Sequence, residues 1–444
     1  FDTETYPFQA GLKTPRMVCL THTSDGDNGA LLGRLDACEA WWQWVNDPDV
    51  ILIGHNLAFD MSAMTRGGGE EGLTDALTAM QAVFDLYAAG RARCTQVRYK
   101  LVQIRSLGYV MRSGLVSVAK EYHVGGGEDR KASKHGPDVW RLRYNELDGI
   151  PTDQWPDAAR TYAIEDALET YRVYAHQKNY EPIADEAPQT AYTWPFILLQ
   201  AWGVRVDEAE LDALYERYEE KHASALAACQ AAGVVRPNGT TDTKVLRSLV
   251  EVACEAAGRE VPKTATGKTS YSKDVIADVG DYNPVLRQYQ AMAAAQKVIG
   301  TYLDALAHGR GGHSVCPGYD TLKVTGRTSS SRYNIQNQPR GGGVRRAHVP
   351  REGCYLIASD YDSLELRTWA YVTHTLLDDR VHCALYDRYR ADPRFDPHTY
   401  FAAEMLRISY EEAMERKAAG DKEVKEHRQF AKIANFGYPG GMGA

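Results

Sequence analysis

The chain has 444 residues, room for about three domains of ordinary size. Its composition, 44% hydrophobic, 25% charged and 10% aromatic, is that of a globular protein and excludes disordered, collagen-like and coiled-coil chains. The net charge of −8, from 51 basic and 59 acidic residues, speaks against a surface that is basic throughout. Two tracts depart from that mean. Arg91–Arg105 holds Arg91, Arg93, Arg98, Lys100 and Arg105 with no acidic residue. Thr321–Arg351 holds Lys323, Arg327, Arg332, Arg340, Arg345, Arg346 and Arg351, again with no Asp or Glu. Basic tracts in an acidic chain fit phosphate contacts along one groove. No apolar run approaches the roughly 18 residues of a membrane span. The eight cysteines form no CxxC pair, which argues against structural zinc and for a reducing, cytoplasmic setting. No signal peptide is visible in the sequence, and without an initiator Met the chain reads as a fragment at its N-terminus.

In chain order, a strand is expected at Phe1–Thr5, where Asp2 and Glu4, two apart, leave the same face. A buried strand, Val50–Ile53, closes at Gly54 and leads into His55-Asn56-Leu57-Ala58-Phe59-Asp60; loops at strand ends often carry chemistry. Helices follow, then a glycine-rich loop at Gly125-Gly126-Gly127. A helix over Asp157–Gln177 repeats Ala163, Ala167, Tyr171 and Tyr174 at helical spacing and sets Tyr162 one turn before Asp166. Glu165 and Glu169 read as solvated helix charges, and His55 as a satisfied polar residue. The stretch 181–188 reads as a linker. Residues 189–310 are helix-rich; a last helix through Leu286, Gly300 and Leu306 is stopped by the glycines at 309–312. A strand at Cys354–Ala358 leads into Ser359-Asp360-Tyr361, and helices fill the rest. One of these places Arg428, Lys432 and Phe436, each four apart, on one stripe.

Asp2, Glu4, Asp60 and Asp166 are acidic oxygen donors from three elements, a plausible nest for two hard divalent cations, Mg²⁺ or Mn²⁺. Phosphodiester hydrolysis uses such a pair, one cation activating water and the other stabilising the leaving oxygen. Tyr162, un-ionised near neutral pH, would orient the water. The order DxE, N-x2-F-D, Y-x3-D, spread over about 165 residues, resembles the proofreading 3′–5′ exonuclease domains of the ribonuclease-H-like fold, in their tyrosine-bearing subclass. The resemblance implies Asp2, Glu4, Asp60 and Asp166 as metal ligands and Tyr162 as the water-orienting residue.

Two cations and an aromatic ring on one helical stripe can hold a triphosphate and pack against a base or sugar. Thr325-Gly326-Arg327-Thr328-Ser329-Ser330-Ser331 with Asn334-Ile335-Gln336-Asn337-Gln338-Pro339, Asp360 through Arg367, and His427 through Gly437 together resemble the polymerase I type (family A) of DNA polymerase. The resemblance implies that Asp360 binds both catalytic metals, that Tyr361 offers its backbone carbonyl to them, and that Glu365 blocks a ribose 2′-OH. It also implies that Arg428 and Lys432 bind the incoming dNTP, that Lys432 protonates pyrophosphate, and that Phe436 disfavours dideoxynucleotides. His398, in Asp396-Pro397-His398, would contact the triphosphate. Arg327, Asn334, Gln336, Asn337 and Arg340 would touch primer-template DNA.

The implied fold is an α/β exonuclease domain, a ribonuclease-H-like mixed sheet with flanking helices, followed by a mostly helical, incomplete right-hand polymerase domain. The expected divisions are exonuclease 1–183, polymerase N-terminal helices and thumb 184–312, partial palm 313–376 and partial fingers 377–444. Such a thumb would grip duplex backbone without sequence choice. Gly440 stands where the family usually has Tyr, and glycine-rich endings like Gly437–Gly441 occur among phage-encoded members. A second palm carboxylate, in a His-Asp motif, is not found before Ala444, and Asp378, Asp379 and Asp396 precede the fingers helix. Polymerisation is therefore expected only of a longer parent. The expected setting is a monomeric, cytoplasmic enzyme of a bacterium or phage-infected host, with no membrane association, acting on primer-template DNA, single-stranded 3′ ends and dNTPs with two Mg²⁺ (or Mn²⁺) per site. Any processivity factor is unidentified. Two alternatives are a stand-alone exonuclease with a DNA-binding remnant of the polymerase, and a non-catalytic primer-template binding module.

Overall fold

A computed structural model describes residues 1–8, 14–125, 140–377 and 384–437. Gly126, Gly127, Asp378, Asp379, Cys383 and the segment 438–444, with Gly440, lie outside the described residues. The chain divides into two compact units, Phe1–Tyr355 and Leu356–Ala444.

The first unit opens with β1 (Asp2–Thr5), β2 (Met17–His22) and β3 (Ala30–Gly33), an antiparallel sheet in the order β1-β2-β3. Asp2 faces Thr21 and Glu4 faces Cys19, with a bulge just after Glu4. Next come α1 (Arg34–Asn46), β4 (Leu52–Gly54), α2 (Leu57–Glu70), α3 (Ala76–Ala88) and β5 (Ala92–Cys94). β4 and β5 pair in parallel, so α2 and α3 form the crossover that a parallel pair requires. α4 (Thr95–Leu107), α5 (Leu115–Glu121) and α6 (Asp157–Gln177) follow. Met17, Leu20, Trp41, Leu57, Met61 and Met64 pack the core between sheet and helices. Gly26, at φ +84°, lets the β2–β3 connection lie against Tyr171 of α6, where a Cβ would collide with the ring.

α7 (Glu186–Trp202) leads to β6 (Arg205–Val206) and the long α8 (Glu208–Ala231), which is capped by the Asp207 carboxylate. α9 (Thr243–Ala256) buries Leu246, Val250, Ala253 and Cys254, one apolar stripe. With α10 (Lys273–Val279) and α11 (Pro284–Val298) it closes a separate helical core. Asn283 caps α11 and Pro284 starts it. The helix continues through a π turn, Ile299–Leu303, into α12 (Asp304–Leu306), and ends where Gly311 and Gly312 take positive φ. β7 (Gly318–Asp320) and β8 (Ser329–Ser331) form a hairpin, and β9 (His348–Val349) pairs with β6.

The second unit contains α13 (Leu364–Leu377), α14 (Ala384–Ala391), α15 (Pro397–Leu406), α16 (Tyr410–Ala418) and α17 (Lys422–Gly437). Its small core gathers Ala370, Tyr389 and Phe395.

Four expectations need correction. The run Cys354–Ala358 is not a strand: no described segment pairs with it, and Tyr355 and Ile357 are 90% and 91% exposed. β-composition without a neighbouring strand leaves the backbone groups to water. The buried strand near residue 50 is shorter and shifted to Leu52–Gly54, with Ile51 half exposed. The linker is cut short, because α7 already begins at Glu186, whose carboxylate pairs with Arg98 of α4. Glu169 is 2% exposed, since α6 is covered by the sheet on one side and by α4 and α5 on another. Glu165 keeps partial exposure and lies 3.6 Å from Arg172.

Candidate active site

Strand alternation puts Asp2 and Glu4 on one face of β1, and α6 packs across β1 and β2 to bring Asp166 there. One carboxylate oxygen from each of Asp2, Glu4 and Asp166 lies within 4.8 Å of the others. Asp60, in the first turn of α2, stands beside this triad rather than within it. Its Oδ1 accepts from the Thr3 amide at 3.1 Å and from Thr3 Oγ1 at 2.7 Å. Asn56, which precedes α2, holds a left-handed φ of 66°, and the turn it makes directs Asp60 inward. Tyr162 is half-buried one turn before Asp166, its ring 6.3 Å from that of Tyr144. Thr21 Oγ1 ties β2 to α6 by donating to the Ala163 carbonyl at 2.9 Å.

Burial, followed by the charges of Asp60, Asp166 and Glu4, pushes Asp2 well above the usual carboxylate range. Burial also raises Asp60, against the Thr3 hydrogen bonds that favour its charged form. Such a site is short of positive charge. Its donors are all hard oxygens, so the residues fit Mg²⁺ or Mn²⁺ and would not suit a soft metal. His55 sits at the end of β4 with Nδ1 2.8 Å from Thr95 Oγ1 and Nε2 2.8 Å from the Ser113 carbonyl. Burial lowers its pKa to about 4. It is a satisfied structural residue.

Elsewhere in the first unit, the β7–β8 hairpin carries the Thr325–Ser331 motif. Arg327 and Arg340 are exposed. Asn334 Oδ1 accepts from Ser330 Oγ at 3.1 Å and from the Asn337 amide at 3.2 Å. Gln336 Nε2 donates to Thr328 Oγ1 at 2.6 Å, and Tyr302 Oη to the Asn337 carbonyl at 2.8 Å. These bonds stitch the hairpin to the following turn, so the Asn334 side chain is engaged in shaping the loop. Gln336 and Asn337 remain exposed. Lys100 and Asp320, 2.9 Å apart, join α4 to the foot of this hairpin, a contact across 220 residues that no local pattern announces.

In the second unit, Asp360 and Tyr361 are exposed in the irregular stretch before α13, and Glu365 lies in the first turn of that helix. α15 and α17 pack together and gather His398, Arg428, Lys432 and Phe436. The His398 ring centroid is 5.2 Å from that of Phe436, and His398 Nδ1 is 3.1 Å from Asn435 Nδ2. An amide donor on Nδ1 leaves the proton on Nε2, the nitrogen able to donate to an anion. Burial, then the charges of Arg428 and Lys432 against those of Asp396 and Asp362, lowers the His398 pKa. Arg428 donates from Nε at 3.1 Å and from Nη2 at 3.0 Å to Asp396 Oδ2. Sequence reasoning passed over Thr3, Asn435, Lys417 and the carboxylate of Asp396. Of these only Asp396 leaves a local sign, a capping residue followed by Pro at the first helical position.

Each of the seven described cysteines is a free thiol. No helix among the described residues is long and apolar enough to cross a membrane.

Comparison with known proteins adds three findings. The family model described as DNA polymerase family A matches residues 211–444. DNA polymerase I of Pseudomonas aeruginosa is 34% identical over 193 residues, covering 41% of this chain and 19% of that protein. Thermostable DNA polymerase I of Thermus aquaticus is 29% identical over 229 residues (43% and 27%), and that of Thermus thermophilus 30% over 258 residues (55% and 28%). The matches thus span between 19% and 28% of these relatives' own lengths. Among solved structures, the POL domain of Pol1 from M. smegmatis, in complex with DNA primer-template and dNTP, superimposes with a TM-score of 0.62 at 17% identity, covering 99% of this chain and 67% of that one. That likeness shows a shared, mostly helical polymerase-domain fold.

Proposed function

The chain belongs to DNA polymerase family A, and from that premise we propose that it joins a 3′–5′ proofreading exonuclease, residues 1–183, to the thumb (184–312), palm (313–376) and fingers (377–444) regions of a template-directed DNA polymerase. Its setting is that of a monomeric cytoplasmic enzyme, and the glycine-rich segment 437–441 groups it with phage-encoded members. The observation that carries the exonuclease reading is the convergence of Asp2 and Glu4 of β1 with Asp166 of α6, one oxygen of each within 4.8 Å of the others.

In the exonuclease site, Asp2, Glu4 and Asp166, with Asp60 beside them, would hold the divalent cations, Mg²⁺ or Mn²⁺. When bound, the ions supply an activated water and stabilise the departing 3′ oxygen. Tyr162 orients the attacking water from the next turn of α6. Thr3, by donating to Oδ1, favours the charged form of Asp60 against the effect of its burial. Glu4 is buried, and Asp2 and Asp166 partly so, which strengthens these interactions.

In the polymerase half, Asp360 and the Tyr361 carbonyl are the groups that would hold the metal of the palm, and Glu365 excludes a ribose 2′-OH. Arg428, Lys432 and the Nε2–H of His398 bind the dNTP triphosphate, Lys432 hands a proton to the departing pyrophosphate, and Phe436 packs against the sugar. Arg327, Arg340, Gln336 and Asn337 face primer-template DNA, with Asn334 shaping their loop. Arg and Lys on phosphate give affinity without sequence preference.

The test is 5′-end-labelled single-stranded DNA incubated with the chain and Mg²⁺. The expected products form a ladder that shortens one nucleotide at a time from the 3′ end, abolished by chelation and by Asp2→Ala or Asp166→Ala. A non-catalytic primer-template module would leave the DNA intact. A stand-alone exonuclease with a binding remnant would digest DNA yet show no Lys432-dependent dNTP binding.

A further inference from the structure

Asp396 begins as a helix cap. Its Oδ1 accepts from the amides of His398 and Thr399 at 3.0 and 3.1 Å, which satisfies the first turn of α15. A cap needs no more. Yet Oδ2 collects four further donors: Thr399 Oγ1 at 2.8 Å, Lys417 Nζ from α16 at 2.9 Å, and Nε and Nη2 of Arg428 from α17. Arg428 Nε also approaches Thr399 Oγ1 at 3.2 Å, and the Asp396 amide donates to Tyr410 Oη at 2.9 Å. The carboxylate is buried, and burial alone would raise its pKa; Lys417, Thr399 and Arg428 overcome that and hold it below the usual carboxylate range.

Two consequences follow for the stripe of α17. First, a long arginine side chain loses rotamer freedom on meeting a ligand, and one already held by two bonds has lost it beforehand. Second, an Asp–Arg pair by itself is neutral and would attract no anion. Lys417 brings the Asp396–Lys417–Arg428 cluster to a net charge of +1, which keeps it attractive to phosphate while Arg428 stays anchored. The same carboxylate fixes the backbone of His398, so both phosphate-facing groups are oriented from one point.

We propose that Asp396 is the positioning residue of the nucleotide pocket, gripping Arg428 by its Nε–Nη2 edge and His398 by its amide so that both are oriented toward the triphosphate of a dNTP. The identity of the anion rests on the function proposed above; the anchoring itself does not.

The test measures Mg²⁺–dNTP binding to the full chain in complex with a dideoxy-terminated primer-template, every variant carrying Asp2→Ala so that the primer survives. Asp396→Asn keeps an oxygen for the two cap amides but removes the charge that holds Arg428 and Lys417. The expected result is affinity roughly tenfold weaker, in line with loss of hydrogen bonds to a charged group. In an Arg428→Ala background, Asp396→Asn should change affinity less than about twofold, because its action runs through Arg428. Asp396→Glu, which restores the charge, should recover part of the loss. Equal losses in both backgrounds, or unchanged affinity with only a lower melting temperature, would overturn the proposal while leaving Arg428 as a nucleotide ligand. If Arg428→Ala leaves dNTP affinity untouched, the nucleotide reading fails and the proposal with it.

Discussion

Asp2→Asn should stabilise the protein in the absence of metal, although it destroys the proposed exonuclease site. The magnitude follows from the geometry. Carboxylate oxygens within 4.8 Å of one another repel by about 3.5 kcal/mol per ionised pair at an effective dielectric of 20. Asp2 takes part in two such pairs within the triad, about 7 kcal/mol if all three were charged. Uptake of one proton caps that cost: protonating a carboxyl at neutral pH costs about 4 kcal/mol relative to its free pKa. The expected gain from Asp2→Asn is therefore up to about 4 kcal/mol near pH 7. The sign with pH follows from the raised Asp2. A carboxyl whose folded pKa lies above its unfolded value contributes stability below the unfolded value and loses it as pH rises through the folded one. The gain should then shrink towards zero below about pH 4. Urea melts followed by tryptophan fluorescence, wild type against variant, at about pH 5 and about pH 8 with and without Mg²⁺, measure it. Mg²⁺ at a hundred times its Kd should stabilise the wild type by about 2.7 kcal/mol and the variant by much less. An Asp2→Asn variant no more stable than wild type at the higher pH, or equally stabilised by Mg²⁺, would refute the reasoning.

Three further outcomes are expected. His55, lowered to about 4 by burial, is held neutral by the fold, so its contribution is complete above its unfolded pKa of about 6.5 and falls by about 3 kcal/mol as pH drops to the folded value; denaturant melts of wild type against His55→Asn across that window should show the difference. Thr3→Val removes one of the two Thr3 hydrogen bonds to Asp60 and should move the acid limb of the excision profile up by roughly one pH unit, read from initial excision rates. Arg327→Ala should weaken primer-template binding for every sequence alike and lower the salt slope by about one, measured by fluorescence anisotropy against salt concentration.

What was legible in the sequence was whatever local periodicity dictates. Period two set Asp2 and Glu4 on one face, and helical spacing set Tyr162 and Asp166 a turn apart on a helix whose bounds, Asp157–Gln177, are those observed. The stripe of Arg428, Lys432 and Phe436 likewise lies on one helix. Contacts between distant segments were not legible. Asp60 meets Thr3 across 57 residues, and Asp396 meets Arg428 across 32. Neither pairing leaves a repeat or spacing to read. Cys354–Ala358 has the composition of a strand, but a strand also requires a partner, and composition cannot supply one. Glu169 reads as solvated on charge alone; its burial depends on α4 and α5 covering the far side of α6.

The central claim is that clustered acidic side chains of the first unit gather a pair of divalent cations to cut DNA at its 3′ end. Electron paramagnetic resonance of the chain titrated with Mn²⁺ in the presence of a non-hydrolysable single-stranded DNA end tests it most directly. The account predicts two spin-coupled Mn²⁺ ions at the distance of about 4 Å typical of paired sites, with the coupled signal lost in Asp2→Ala and Asp166→Ala. Isolated Mn²⁺ signals alone, or a coupled pair that survives both substitutions, would contradict it.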